Sequence, residues 1–303
     1  MADLDNEISK IIKKKFGRAR TLHSKVVGRF PKGVERAYAK LIKDYLKHFG
    51  SSYLKYKPIL DELLKEAGGK FSPWMLDYSR KIFLQMYSDF ERRVARQRLE
   101  SKVQALGKIG EKLSIAEWKR EVKRTIGINI LDDYYKGEFY RTELSKWTAD
   151  NVNLIVTRPK ETLGQMMEIV EKGFLSGINT KEIARQIQNA YNYDAYWAKF
   201  IARDQMAKLN CDVTREAQLS AGVTRYEWST SDDSRVRDSH RKLDGKIFSW
   251  DNPPVVDEKT GRRCHPGQDY QCRCVALPVF DKSTLNFPAG YVDGKRKEMV
   301  KID

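Results

Sequence analysis

The feature that most constrains this fold is an abrupt change in the sequence pattern near residue 223. Before it, apolar side chains recur at helical spacing; after it, the run Val223–Trp228 has the period of two that is typical of a β-strand. The stretch after the change also holds two of the four histidines and three of the four cysteines. The sequence therefore predicts an α+β protein, mainly α, with a helical N-terminal body and a small β-containing C-terminal module.

The order of these patterns divides the chain into four predicted segments. We expect a basic helical arm over residues 1–57, a helical body over 58–222, a Cys/His module over 223–281 and a loosely held tail over 282–303. In the body, Pro58, Pro159 and Asp194 predict the starts of new helices, and Gly222 predicts the end of the last one. We expect strands near residues 223–228, 246–250 and 275–280.

The positive charge of the chain is concentrated near its N-terminus. The formal net charge is +16, and residues 1–57 carry fifteen Lys and Arg residues against five acidic ones. A surplus of this kind favours binding to phosphate groups, because each contact between a cation and a phosphate releases counterions. We therefore expect double-stranded DNA or an acidic partner to bind there, although a solvated helix face or a membrane-surface helix has the same pattern. The candidate contact residues in this arm are Lys10, Lys13, Lys14, Lys15, Arg18 and Arg20, and the polar face of a predicted helix in the body adds Arg92, Arg93 and Arg96.

The concentration of cysteine and histidine in the module is the composition that a zinc site requires. Zn²⁺ accepts thiolate sulfur and imidazole nitrogen in a closed tetrahedron and can stabilise a small fold directly. The predicted ligands of this structural zinc are His240, His265, Cys272 and Cys274. We prefer His265 to the adjacent Cys264 because His-Pro followed by Cys-Arg-Cys is the tighter unit. Buried residues without a metal, or a disulfide from Cys264, are the alternatives.

An ordered set of short motifs in the module resembles a known family. The motifs are Asp233-x-Arg235-Val236-Arg237, His240, Asp244-Gly245, His265-Pro266 and Cys272-Arg273-Cys274. Over residues 150–280 they look like the Mu F-like domain of phage minor head proteins, which are also called head morphogenesis proteins. The resemblance implies a virion protein that associates with the portal, enters the procapsid and assists DNA packaging or delivery.

From this resemblance we expect a location in the capsid interior, reached from the host cytoplasm during assembly. The expected partners are the portal protein and double-stranded DNA, and a scaffold or major capsid protein is a further candidate. We expect no membrane partner in the mature state, because no apolar run approaches the ~20 residues that span a bilayer. We expect Asp233, Arg235, Arg237, Asp244 and Gly245 to brace the module.

We predict no catalytic residues, and hence that the protein is not an enzyme. Asp233 and neighbouring carboxylates could hold a hard cation in a nuclease, but thiolates suit magnesium poorly, and four protein ligands leave zinc no position for water. The run Ser229–Ser231, with Arg203 upstream, is similar to elements of ADP-ribosyltransferases, yet the glutamate pair of those enzymes is not evident. A packaged enzyme of either type, co-injected with the genome, is the alternative function.

Overall fold

A computed structural model describes residues 2–25, 30–67, 72–95, 98–135, 137–287 and 292–293. Helices dominate these residues, and the predicted fold class is confirmed. The α-helices are α1 (Ala2–Phe16), α2 (Lys32–Ala67), α3 (Pro73–Val94), α4 (Leu99–Ile126), α5 (Glu138–Leu175), α6 (Thr180–Ser220) and α7 (Asp238–Arg241). A short 3-10 helix covers Asp132–Tyr135. None of the described helices is long and apolar enough to cross a membrane.

The described strands are short and pair antiparallel. They are β1 (Thr21–His23), β2 (Asn129–Ile130), β3 (Arg225–Ser229), β4 (Ile247–Ser249), β5 (Val255–Asp257), β6 (Arg262–Arg263), β7 (Val275–Asp281) and β8 (Val292–Asp293). Four of them form one sheet in the order β1-β7-β3-β4, and β2-β8 and β5-β6 form two-stranded pairs. The three predicted strands are confirmed as β3, β4 and β7.

The chain divides into two compact units that are each discontinuous in sequence. Unit 1 contains Met1–Val34, Gly107–Trp147 and Arg203–Asp303; unit 2 contains Glu35–Leu106 and Thr148–Ala202. Because these units are defined by spatial contacts and not by sequence order, they do not test the boundaries of the four predicted segments, which stay a prediction. Residues 288–291 and 294–303 of the predicted tail lie outside the described residues.

The core of unit 2 is built from aromatic side chains on the apolar faces of its helices. Tyr45 and Phe49 of α2 each meet the Phe90 ring of α3 edge-on, with ring centroids 5.6 Å apart. The buried Tyr38 hydroxyl donates to Oδ1 of Asn151 at 2.6 Å, which satisfies a phenol that burial would otherwise penalise. The helical period of α2 thus produces the core face that the sequence predicted.

Two prolines that were predicted to start new helices lie inside helices instead. Pro58 is within α2, and Pro159 is within α5. An interior proline costs about 3 kcal/mol, mainly through one lost backbone hydrogen bond and a steric clash. Beyond each proline the apolar stripe continues, with Leu63 and Met166 buried. We infer that burial of these stripes outweighs the local cost, so the predicted breaks were wrong.

The long helix α6 also continues through a predicted boundary. Asp194 was expected to cap a separate helix, but α6 runs unbroken through that position, and the Asp194 side chain lies outside the described residues. The predicted end is confirmed: Gly222 has φ +75°, and the Val223 N–H donates to the Gln218 carbonyl at 2.9 Å. A left-handed glycine that closes the last turn in this way is a common helix terminator.

The N-terminal residues of unit 1 contribute both a helix and a strand. Ile8, Ile11 and Phe16 of α1 are buried, so the apolar face of this predicted amphipathic helix packs within the protein. After Gly17 the chain forms β1, whose register pairs Leu22 with Phe280 of β7. Strand β1 was not predicted, because three residues are too few to show a period.

Candidate metal site

The candidate site lies in unit 1, at the end of the sheet where β3 stops and β7 begins. Ser229, the last residue of β3, pairs with Val275, the first residue of β7. The chain leaving β3 leads into α7, which carries His240, while Cys272 and Cys274 immediately precede β7. Antiparallel pairing therefore brings together side chains that are more than thirty residues apart in the sequence.

Three buried donor atoms meet at this end of the sheet. Nδ1 of His240 lies 3.6 Å from Sγ of Cys272 and 3.6 Å from Sγ of Cys274, and the three ligand atoms lie within 4.8 Å of one another. Tetrahedral zinc, with Zn–S near 2.3 Å and Zn–N near 2.0–2.1 Å, requires an N···S separation of about 3.6 Å. The donor types and their spacing therefore fit a zinc ion.

The orientation of the His240 ring is set on its other side by a carboxylate. Nε2 lies 3.1 Å from Oδ2 of Asp269, and both side chains are buried. The Trp228 ring lies edge-on to the imidazole with centroids 5.3 Å apart. Burial opposes a charge on His240, but hydrogen bonds involving Cys272 and Asp269 raise its pKa above the ordinary value. An imidazole that gives Nε2–H to a carboxylate presents Nδ1 as a metal ligand.

Backbone N–H groups point at one of the sulfurs. The N–H groups of Gly267 and Cys274 both lie 3.4 Å from Sγ of Cys272. The hydrogen bond from Cys274, then His240 and the Gly267 amide, hold the pKa of Cys272 well below its usual range. Conversely, the hydrogen bond with Cys272 and burial raise the pKa of Cys274. A bound metal would displace the remaining thiol proton, since thiolates are the ligand form.

The fourth predicted ligand, His265, is not brought into this group. Its buried ring packs 4.8 Å from the ring of Trp250, and its Nδ1 lies 2.9 Å from the hydroxyl of Tyr226. Burial, with the nearby charge of Arg215, lowers the His265 pKa to about 4. The imidazole is therefore neutral at pH 7, and Nδ1 can accept the phenol hydrogen bond.

The alternative residue for the fourth position, Cys264, is half-buried against the apolar cluster of the module. Within the described residues, the group of close metal-ligand atoms contains only His240, Cys272 and Cys274. All four cysteines are free, so the disulfide alternative is absent from this structure.

The predicted bracing residue Asp233 links the loop before α7 to the Cys-x-Cys turn. Its Oδ2 accepts from Arg273 at 2.6 Å and from Arg235 at 3.0 Å, and its Oδ1 accepts the Arg235 backbone N–H at 2.9 Å. These hydrogen bonds, led by the one from the Arg235 side chain, hold the pKa of Asp233 well below its usual range. Arg273 lies between the two cysteines in sequence, so this carboxylate positions the turn that carries both thiols.

Arg237 performs a similar function on the other side of α7. Its Nη1 lies 3.2 Å from Oδ2 of Asp269, and its Nη2 donates to the Tyr270 carbonyl at 2.6 Å. Arg262 of β6 lies 3.1 Å from Oδ1 of the same aspartate. The carboxylate that orients His240 is therefore held by two guanidinium groups, which offsets the cost of burying its charge.

Asp244 and Gly245, which were expected to brace the module, form a turn that fixes α7 over β3. Oδ1 of Asp244 accepts the Thr230 N–H at 2.7 Å, and the N–H of Gly245 donates to the Trp228 carbonyl at 2.8 Å. Gly245 has φ +72°, a conformation in which other residues are strained. The turn thereby sets the distance between His240 and the sheet.

The candidate cationic contact residues in the described part of the chain are all exposed. In unit 1 they are Lys10, Lys13, Lys14, Lys15, Arg18 and Arg20. Arg20 lies 3.5 Å from Asp281 with 80% of its side chain still exposed. In unit 2, Arg93 is exposed and Arg92 pairs with Asp89. Arg96 lies outside the described residues.

Two functional residues escaped the sequence reasoning. Asp269 was not singled out, although a metal-bound histidine commonly donates to a carboxylate, so an acid between His265 and Cys272 was a usable signal. Gly267 has φ +92°, and a Cβ there would lie 3.1 Å from the Ala207 carbonyl oxygen. Its glycine identity allows the backbone to approach Cys272, a role that no pattern in one sequence reveals.

Comparison with known proteins agrees with the resemblance of the motifs. The family described as Phage Mu protein F like protein matches residues 165–277, which include the entire candidate site. An uncharacterised protein of Haemophilus influenzae is 32% identical over 206 residues, which cover 68% of this chain and 44% of that protein.

A second relative is named for its place in a virion. The Minor head protein GP7 of Bacillus phage SPP1 is 24% identical over 148 residues, or 44% of this chain and 48% of that protein. The chain spans less than half the length of each of these two curated relatives. No solved structure gives a significant match. Residues 165–277 therefore match the Phage Mu protein F-like family, and the chain has distant similarity to the SPP1 minor head protein.

Proposed function

We propose that this protein is a phage minor head protein that occupies the capsid interior, associates with the portal, and assists procapsid assembly and DNA packaging or delivery. The observation that carries this proposal is the family match over residues 165–277, which spans α6 and contains His240, Cys272 and Cys274 of the Cys/His module. The similarity to a protein named as the minor head protein of phage SPP1 supports the same role.

We propose that the group of His240, Cys272 and Cys274 holds a structural zinc. Zinc would pin α7 to the Cys-x-Cys turn and so order the loop between β4 and β7, which contains the small β5-β6 pair. Support comes from the 3.6 Å N···S distances and from the buried carboxylate behind His240. The three side chains would hold the ion, and the bound ion would stabilise the module by linking α7 to the Cys-x-Cys turn.

We also propose non-specific binding of double-stranded DNA through the N-terminal cations. Lys10, Lys13, Lys14 and Lys15 are exposed on α1, while the apolar face of this helix is buried. A helix anchored by its apolar side presents its lysines at fixed positions, which lowers the ordering cost of binding a phosphate backbone. The charge surplus of the N-terminal residues is the second support.

The competing proposal is a packaged enzyme that enters the host with the genome. One observation favours it: the group has three protein donors, and a zinc ion with three protein ligands keeps a position for water. With the four protein ligands first expected, no such position would remain. We nevertheless favour the structural role, because the carboxylates next to the group are held in ion pairs with arginines.

The proposed role is tested in particles made by the phage genome that carries this gene. Mass spectrometry of purified heads should detect the chain in a few copies per particle, and deletion of the gene should yield heads that are defective in DNA content. Complementation should succeed with Cys264→Ser and fail with Cys272→Ser. Heads that lack the chain, together with normal DNA content after deletion, would contradict the proposal.

A further inference from the structure

We propose that the open side of the metal group is a binding site for a phosphate-type oxyanion, formed by four arginine side chains. A cavity of about 120 Å³ in unit 1 reaches His240, Cys272 and Cys274. Its cationic lining consists of Arg203, Arg235, Arg237 and Arg273. This site goes beyond the proposed head-protein role, which does not require it.

The charge of the cavity wall is strongly positive. Four guanidinium groups line it, and among its described lining residues there is no carboxylate. Two aspartates lie behind the wall: Asp233 pairs with Arg235 and Arg273, and Asp269 pairs with Arg237. Asp269 also faces Arg262 and His240, so its charge is shared among several partners. Arg235, Arg237 and Arg273 thus share two aspartates, so these three side chains alone leave a surplus of positive charge that an anion would neutralise.

The arginines also retain hydrogen-bonding capacity. A guanidinium group has five N–H donors. In the described structure the side chains of Arg235 and Arg273 each donate one hydrogen bond, both to Asp233. Arg273 is only 14% exposed, so most of its surface is removed from bulk water. A largely buried, charged donor such as Arg273, beside the more exposed Arg235 and Arg237, favours an anion that can accept several hydrogen bonds at once.

The geometry selects a compact oxyanion. A cavity that holds one water needs about 10–15 Å³, and the volume of this cavity is about 120 Å³. That space is sufficient for a tetrahedral phosphate group. Guanidinium groups can recognise phosphate bidentately, and four of them line this cavity. A metal with two thiolate ligands is neutral overall and would not reduce the positive charge of the cavity.

The test is isothermal titration of inorganic phosphate into the full-length, zinc-loaded protein at constant ionic strength. We expect one saturable site per chain with a dissociation constant on the order of 0.1–10 mM. Arg235→Gln should weaken binding about tenfold, since it removes one charge-assisted contact and leaves the Arg273–Asp233 pair in place. Arg263→Gln is the matched control: it removes an exposed arginine of the same module outside the cavity and should change affinity less than twofold.

Zinc content reports whether each variant keeps its fold. If Arg235→Gln loses zinc, Arg203→Gln on α6 serves in its place, with the same expected loss of affinity. The absence of saturable phosphate binding, or equal weakening by Arg235→Gln and Arg263→Gln, would overturn the proposal.

Two sources of the phosphate are separated with a labelled double-stranded oligonucleotide. If Arg235→Gln weakens oligonucleotide binding, and phosphate displaces the oligonucleotide better than chloride of equal ionic strength, the cavity takes a phosphate of the DNA backbone. If phosphate binds but Arg235→Gln leaves oligonucleotide affinity unchanged, the cavity takes a free phosphate group. Both results support the oxyanion site, and neither depends on whether the protein is part of a phage head.

Discussion

Nε2 of His240 lies 3.1 Å from Oδ2 of Asp269, on the edge of the ring opposite to the nitrogen that faces the two cysteine sulfurs. This pairing fixes which nitrogen can bind a metal. It also explains how a site whose ligands come from α7 and from the Cys-x-Cys turn can be preorganised, because Asp269 lies on the chain segment that leads into that turn.

Replacing this carboxylate should weaken the site without removing a ligand. We expect Asp269→Asn to lower zinc affinity about 10–100-fold, the usual effect of losing a carboxylate partner of a metal-bound histidine. Competition with a chromophoric chelator measures the change. Asp251→Asn is the control, since Asp251 is an exposed residue of the same module and has no described contact with His240 or Asp269. Equal affinities of the wild type and Asp269→Asn would show that the pairing does not orient a metal ligand.

Loss of a thiol should remove the metal altogether. Elemental analysis should find about one zinc per chain in the wild type and in Cys264→Ser, and a strongly reduced content in Cys272→Ser and Cys274→Ser. Zinc binding contributes directly to folding, so chelation and either ligand variant should unfold the C-terminal module. Protease digestion and near-ultraviolet circular dichroism report this loss. Zinc-free wild-type protein with an intact module would contradict the structural role.

If the N-terminal lysines bind DNA, they should contribute to the salt dependence of its affinity. We expect simultaneous replacement of Lys10, Lys13, Lys14 and Lys15 by Gln to weaken DNA binding and to reduce the slope of log K against log salt by up to about 3–4, since each phosphate contact contributes about 0.9. Fluorescence anisotropy at several salt concentrations measures this slope. The matched control replaces exposed lysines elsewhere in unit 1, namely Lys108, Lys112, Lys242 and Lys259.

An unchanged slope in the first variant, or equal reductions in both, would remove α1 from the DNA-binding proposal. Substitution is a cleaner test than deletion of residues 1–30, because deletion would also remove the buried residues of α1 and the strand β1.

The sheet should lose stability in acid through Asp281. Hydrogen bonds from Ser283, with Arg20 and Arg225 nearby, lower the pKa of this carboxyl below its ordinary value. A lowered folded-state pKa means that the stabilisation is fully present above the unfolded value near 3.9 and is lost as pH falls through the folded value. We expect Asp281→Asn to cost about 1–3 kcal/mol at pH 7 and to flatten this acid-dependent loss.

Urea unfolding at pH 7 and at several values below pH 4 measures the contribution of Asp281. Asp251→Asn, at an exposed position of the same module, is the control and should retain the wild-type pH dependence. A wild-type pH profile in Asp281→Asn would show that this carboxyl contributes nothing to the acid response.

The comparison of sequence and structure separates what local patterns decide from what packing decides. The period of two around Tyr226 predicted β3, because a strand pattern depends on nearby residues. The helix starts predicted at Pro58 and Pro159 were wrong, because burial of the apolar stripe beyond each proline outweighs the local cost of an interior proline. The pairing of His240 with Cys272 and Cys274 was predictable from ligand chemistry, whereas the position of His265 depends on how its ring packs against Trp250, which no spacing reveals.

The pairing of β1 with β7 has a consequence for synthesis of the chain. Thr21–His23 leave the ribosome early, yet their hydrogen-bonding partners on β7 are translated only after the cysteine turn. A product that stops short of residue 275 leaves β1 with no partner, and a chain without β1 leaves β7 with an uncovered edge open to aggregation. Closure of this edge by β1 therefore requires translation through Asp281, and a fragment that lacks either strand should aggregate more readily than a chain that carries both.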